Sequence, residues 1–579
     1  MKTKIILTLT LIALLTILAP SAEARQDTIT LLTVGETEAG QVGGVAELHL
    51  EVKPGQGRIF MDSFPLSRVD TQISTRFAKD VACDFVDINC NNYDFFYTIR
   101  AGSSIVGGPS AGAAMTILTA SVLEGHKVDD NIAITGTMNS GGVIGPVSGV
   151  EAKATAARDR GYEKVIIPRW AVSDEINNIS TDRVDVEGIE IIEVGLLEEA
   201  ILEFTGVDYT RDFSDITIPQ EYQDIMSDVA NDLCQRYGEL ETELQITGNE
   251  TVQVNRSKEN RQDAVESKIN QDFYSAASQC FNANTALRNY ALRNQTEEEQ
   301  EALATEMEEE ADRILRQLNA GEIQTVSDLE TTMIVKERAF EVINILQDPT
   351  TRYDNMGYTL ERLNSAVAWS RFFDYPGRPL NIQERHLEQA CTAKIGEAEE
   401  SINYLELLTG ADQTSQREEL DEVENLQQEG DHAFCIFRAS SIKADANSAL
   451  GGRALGASQV NDFIGDKLTA ARGQINRQNR DFPILGYSYY NFAQNLQESR
   501  PDLALVFSEY ALELGNLEMY FERESRNINF NPLRIPELSV PYFVSGILLG
   551  LSLSLAVFIG ILKFQRRKIV RKIRKKKNR

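Results

Sequence analysis

The spacing of apolar and polar positions changes character along the 579 residues. "GGVAELHLEVKPGQGRIFMD" (43–62) alternates apolar and polar residues on both sides of a Pro-Gly turn, which predicts a β-hairpin. "DTQISTRFAKDVACDF" then sets Ile73, Phe77, Val81 and Phe85 four apart, along one face of a helix. The short apolar runs in "YDFFYTIRA", "NIAITGTM", "KVIIP" and "GIEIIEV" predict further strands. Residues 28–206 therefore read as one α/β domain.

From about Ile218 the period becomes helical. Thr296 and Glu299 form a capping box, Leu303, Met307, Ala311, Ile314 and Leu318 make one apolar stripe, and Gly321 follows as a stop. Ser327 with Glu330 predicts the start of the next helix, which ends before Pro349. Amphipathic segments of this kind continue, so 215–530 reads as an α-helical domain without a fixed-period repeat.

The two ends differ from the rest. Residues 1–24 carry Lys2 and Lys4, an apolar run and "AEA" before Arg25, the order of a secretory signal peptide. After a Pro-containing linker (531–541), residues 542–562 are uncharged, long enough as a helix to cross a bilayer. A basic tail, 563–579, follows and would stay cytoplasmic. The expectation is a single-pass cell-membrane protein with its N-terminal ectodomain outside.

Composition narrows the choices. The chain carries a formal charge of −30, which disfavours nucleic acid as a partner. Its six cysteines form no CxxC or Cys/His ligand pattern, so a metal site is not indicated. In an exported chain six cysteines allow fifteen disulfide pairings; joining neighbours in order gives Cys83–Cys90, Cys234–Cys280 and Cys391–Cys435. The many carboxylates read as solvated helix faces. The aromatic clusters around Trp369, Phe372, Phe373 and Tyr375 and around Tyr487, Tyr489, Tyr490 and Phe492 read as core packing, with a peptide groove as the alternative.

One stretch points to chemistry. In "IVGGPSAGAAM" (105–115) small residues surround Ser110 just before a helix, where backbone N–H groups and the helix's positive end would hold an oxyanion. A nucleophilic serine needs a base. None of the four histidines, His49, His126, His386 and His432, sits in a triad motif, whereas a desolvated lysine can serve.

Lys153 lies 43 positions after Ser110. Between them come Thr135-Gly136 at a strand end and the glycine-rich turn Gly142 to Gly149, and "RGYEKVIIP" follows. In order and spacing together, these elements resemble the proteolytic domain of the Lon protease family, over roughly 35–206. The resemblance implies a Ser–Lys dyad: Ser110 as nucleophile, Lys153 as general base and Thr135 orienting the lysine. The backbone of Gly108, Ser110 and Ala111 becomes the candidate oxyanion hole. Two positions depart from the family pattern: Gly107 stands where an aspartate is common, and Ser148 replaces the first glycine of a Gly-Gly pair.

No G-x-x-x-x-G-K-[ST] phosphate loop occurs, so neither nucleotide nor another cofactor is expected. The expected architecture is an α/β (α+β) Lon-type proteolytic domain, a mostly α-helical domain and one C-terminal transmembrane helix, similar to archaeal surface proteases that lack the ATPase. The expected function is an ATP-independent serine endopeptidase acting on peptides or unfolded proteins. The resemblance also implies assembly into a homo-oligomer as one partner state, since family members often form rings. The alternatives are a non-catalytic surface scaffold with a relic protease fold and a self-processing protein.

Overall fold

The computed structural model describes residues 25–577 apart from 38–39, 68, 107, 170–183, 210–213, 245–250, 294, 351, 381, 455–456, 478–479 and 522–539. The expected signal peptide, Gly107 and most of the expected linker lie outside the described residues.

The α/β part is built on a mixed sheet of seven strands in the order β3-β4-β2-β1-β5-β8-β9. These are β1 (Arg25–Thr37), β2 (Gly40–Pro54), β3 (Ile59–Ser67), β4 (Tyr93–Val106), β5 (Ile132–Ile134), β8 (Lys164–Pro168) and β9 (Glu190–Val194); β6 (Thr137–Met138) and β7 (Ile144–Gly145) form a separate small hairpin. The period-two pattern of β2 buries Ala46, Leu48, Leu50 and Val52 on one face. The expected hairpin across 43–62 does not form. β4 inserts between β2 and β3, antiparallel to the former and parallel to the latter. Asp94 fixes the connecting turn to β4 instead, accepting from the backbone of Gln56 (2.8 Å) and Arg58 (3.0 Å) and from the Arg58 guanidinium (2.8 Å).

Among the described residues of this part, four helices accompany the sheet: α1 (Val69–Phe85), α2 (Gly112–Glu124), α3 (Val150–Asp159) and α4 (Leu197–Thr205). Residues 112–123 of α2 are buried all round, the condition of a central helix rather than an amphipathic surface one.

The second part is helical from Gln220 to Leu514. Thr296 caps Glu297–Ala320 as predicted, donating to and accepting from Glu299. The next helix starts two residues earlier than predicted, because Thr325 and Asp328 form its cap. Trp369, Phe372, Tyr487, Tyr489 and Tyr490 are buried in one apolar core, while Phe373 is exposed. The cysteines pair in chain order, 83 with 90, 234 with 280 and 391 with 435. The α/β and helical parts together form one compact unit, Arg25–Ile528.

In the other unit the described residues form the helix Val540–Lys577. Among the described residues no helix is long and apolar enough to cross a membrane. This corrects the expected transmembrane helix at 542–562 and the single-pass membrane location built on it. The helix runs unbroken into the basic 563–577 segment, so its C-terminal part is charged rather than apolar.

Candidate active site

Ser110 lies in a one-turn 3-10 segment, Pro109–Ala111, that leads directly into α2. The chain enters through Gly108 at φ 103° and ψ 151°, a region that only glycine occupies without strain. Ser110 itself is half-buried.

Thr135 and Gly136 leave the end of β5 and face this turn. The Gly136 N–H donates to the Ser110 carbonyl (3.0 Å), and the Gly136 carbonyl accepts from the Ala113 N–H (3.0 Å). A Cβ at 136 would sit 2.6 Å from Ile144 Cγ2 and 3.3 Å from Ala113 Cβ, so this close approach requires glycine. Thr135 is fully buried and anchored to β8 through its N–H and the Ile166 carbonyl (3.1 Å).

Lys153 projects from the first turn of α3, capped by Gly149, whose carbonyl accepts the Lys153 N–H (2.9 Å). Its side chain is 2% exposed, and Nζ donates to Thr135 Oγ1 at 3.2 Å. Two consecutive residues thus hold the two candidate groups, Thr135 the lysine and Gly136 the serine turn. Neither His386 nor His432, both buried in the helical part, joins this arrangement.

Residues 72–204 match the Lon protease C-terminal proteolytic domain. This segment is a Lon-family protease domain. It is 33% identical over 124 residues to the Lon protease of Clostridium beijerinckii, covering 21% of this chain and 15% of that protein. It is 35% identical over 115 residues to the Archaeal Lon protease of Methanocaldococcus jannaschii, covering 20% of this chain and 16% of that protein. Relatives thus come from both bacteria and archaea, and the chain spans about one sixth of the length of these two.

The helical part packs against the Lon-family domain close to Ser110, which nothing in the sequence announced. Tyr404 OH donates to the Pro146 carbonyl (2.9 Å), and Lys443 Nζ donates to Ser140 Oγ (3.1 Å). Buried Asp84 pairs with Arg477 and Arg480 (2.5 Å to the latter) and accepts from Asn516 (2.9 Å). Arg169 bridges Glu199 and Asp466, each at 2.7 Å.

Behind this seam the helical carboxylates are not solvated faces. Lys394, Glu397, Lys443 and Glu513 form a buried cluster with ion pairs of 2.7 to 3.3 Å. Burial alone would raise the Glu513 carboxyl, but Lys394 and Lys443 outweigh it and hold it at about 2. Burial alone would lower the Lys443 ammonium; Glu397 and Glu513 hold it above its usual value. Among the described residues no group of three or more His, Cys, Asp or Glu is placed to hold a metal ion.

Proposed function

We propose that the chain is a serine endopeptidase that cuts peptides or unfolded proteins without nucleotide, with Ser110 as nucleophile and Lys153 as general base. The observation that carries this reading is the contact of the buried Lys153 amine with Thr135, next to the residue that binds the Ser110 turn. Burial disfavours the charged form of an amine, which suits a proton acceptor. Thr135 fixes the amine's direction. The Lys153 amine takes the Ser110 hydroxyl proton as Oγ attacks the peptide carbonyl. The oxyanion lies against the backbone of Gly108, Ser110 and Ala111 at the positive end of α2. The protonated lysine then protonates the departing amine, and water releases the acyl group. The match to Lon proteases over 72–204 supports the same assignment.

The test incubates the purified chain with unfolded casein, without nucleotide, beside Ser110→Ala and Lys153→Ala. Cutting by the wild type alone is the expected result. Equal cutting by all three, or none by a folded wild type, overturns the proposal. A mass loss in the wild-type chain itself, absent from Ser110→Ala and without casein cleavage, would assign self-processing instead.

A further inference from the structure

The seam between the Lon-family domain and the helical part encloses a narrow cleft. One wall contains Pro109, immediately before Ser110, with Met138 and Pro146; the other contains Ser401 and Asn447 from two helices, Glu384–Thr409 and His432–Ala454. We infer that this cleft is a side-chain subsite walled by the helical part, and that it selects serine or threonine beside the scissile bond. The inference rests on Ser110 being the nucleophile.

Position comes first. Pro109, the residue before Ser110, lines the cleft, so a peptide whose carbonyl carbon meets Ser110 Oγ would bring a flanking side chain to its mouth. Size comes second. The free volume is about 40 Å³, enough for two or three waters and so for a side chain of about two or three non-hydrogen atoms. Alanine, serine, threonine, cysteine and valine fit that limit, and leucine, lysine and the aromatic residues exceed it.

Chemistry separates the ones that fit. Asn447 is 7% exposed, and its Nδ2 has no hydrogen-bond partner among the described residues. A buried donor without an acceptor is costly, and a hydroxyl oxygen of the substrate would relieve that cost where an alanine or valine would not. The lysines lining the cleft do not call for an anionic residue, since Lys443 is paired with Glu397 and Glu513, and Lys467 with Glu509. Asn447 and Ser401 lie outside residues 72–204, so this selectivity belongs to the helical part and not to the Lon-family domain.

The test digests a mixture of denatured proteins with the full chain and sequences the new termini by mass spectrometry. Ser110→Ala serves as blank, and Asn447→Ala and Asn447→Asp are run in parallel after thermal unfolding shows that they fold. In the wild type, serine and threonine should be enriched about tenfold at one position flanking the cut, the effect of one satisfied buried hydrogen bond. Asn447→Ala should lose that enrichment and admit leucine and methionine. Asn447→Asp, which keeps the size and removes the donor, should lose the hydroxyl preference yet still exclude large residues; if Asn447→Ala does not fold, this variant carries the test. Ser110-dependent cutting with no small-hydroxyl preference, or with a profile unchanged by both variants, overturns the inference and leaves the peptidase reading standing. An inert wild type overturns both.

Discussion

Gly136→Ala tests the link between the two candidate groups. The added methyl would meet Ile144 Cγ2 at 2.6 Å, about 1 Å inside a normal carbon–carbon contact of about 3.5–4.0 Å, and would press on Ala113 at 3.3 Å. Ile144 is buried and β-branched, with few rotamers to escape into, so the clash pushes on the segment carrying Gly136. Overpacking of this kind costs about 1–3 kcal/mol. Because Gly136 holds the Ser110 carbonyl while Thr135 holds Lys153, a shift of about 1 Å misaligns serine and lysine, and a loss near 100-fold in rate is expected. Urea unfolding reads the stability, and the rate of Ser110 labelling by a fluorophosphonate reads the alignment. Ile144→Ala removes the clashing Cγ2, so the double variant should be about 1–3 kcal/mol more stable than the two single losses summed, with labelling partly restored. A Gly136→Ala variant with wild-type midpoint and wild-type labelling would refute the argument, as would a double variant showing no relief.

Three further outcomes follow from the seam and its surroundings. Tyr404→Phe should cost about 1–3 kcal/mol in denaturant unfolding, because it leaves the Pro146 carbonyl without this buried donor. The Glu513 carboxyl is depressed in the folded chain from 4.5 to about 2, so its contribution is complete above about pH 4.5 and is lost as pH falls from there toward 2. The loss amounts to about 3 kcal/mol, and Glu513→Gln should flatten that part of the stability–pH curve. The Cys391–Cys435 bridge spans 44 positions, so replacing both cysteines by alanine should lower stability by about 2–4 kcal/mol in urea titration.

What the sequence revealed was local. The Thr296–Glu299 cap was legible because both partners lie within one helical turn, and the sequential disulfides because each pair is near in the chain. The 43-residue spacing from Ser110 to Lys153 was legible as a motif, although the contacts through Thr135 and Gly136 had to come from the structure. β4's insertion between β2 and β3 was not legible, since the turn at 54–58 looks the same whichever strand pairs next to it. Lys394 and Glu397, three apart on one helix, look like an ordinary solvated pair. Their partners Lys443 and Glu513 lie far along the chain, and only tertiary packing buries all four. Asn447 carries no motif at all; its interest comes from which cleft it lines. The apolar run at 542–562 was the converse case, where a strong local pattern did not correspond to a described helix apolar and long enough to span.

The reach of the seam contacts also bears on how the chain folds. Ser140 meets Lys443 across 303 positions, and Asp84 meets Asn516 across 432. Loops that long must close before those contacts return any energy, which makes them late and slow events in folding. During synthesis the α/β part leaves the ribosome first, with Ser110, Thr135 and Lys153 already encoded in it. The far wall of the cleft is translated roughly 300 residues later. A nascent chain therefore carries its candidate nucleophile well before the helices that enclose it exist.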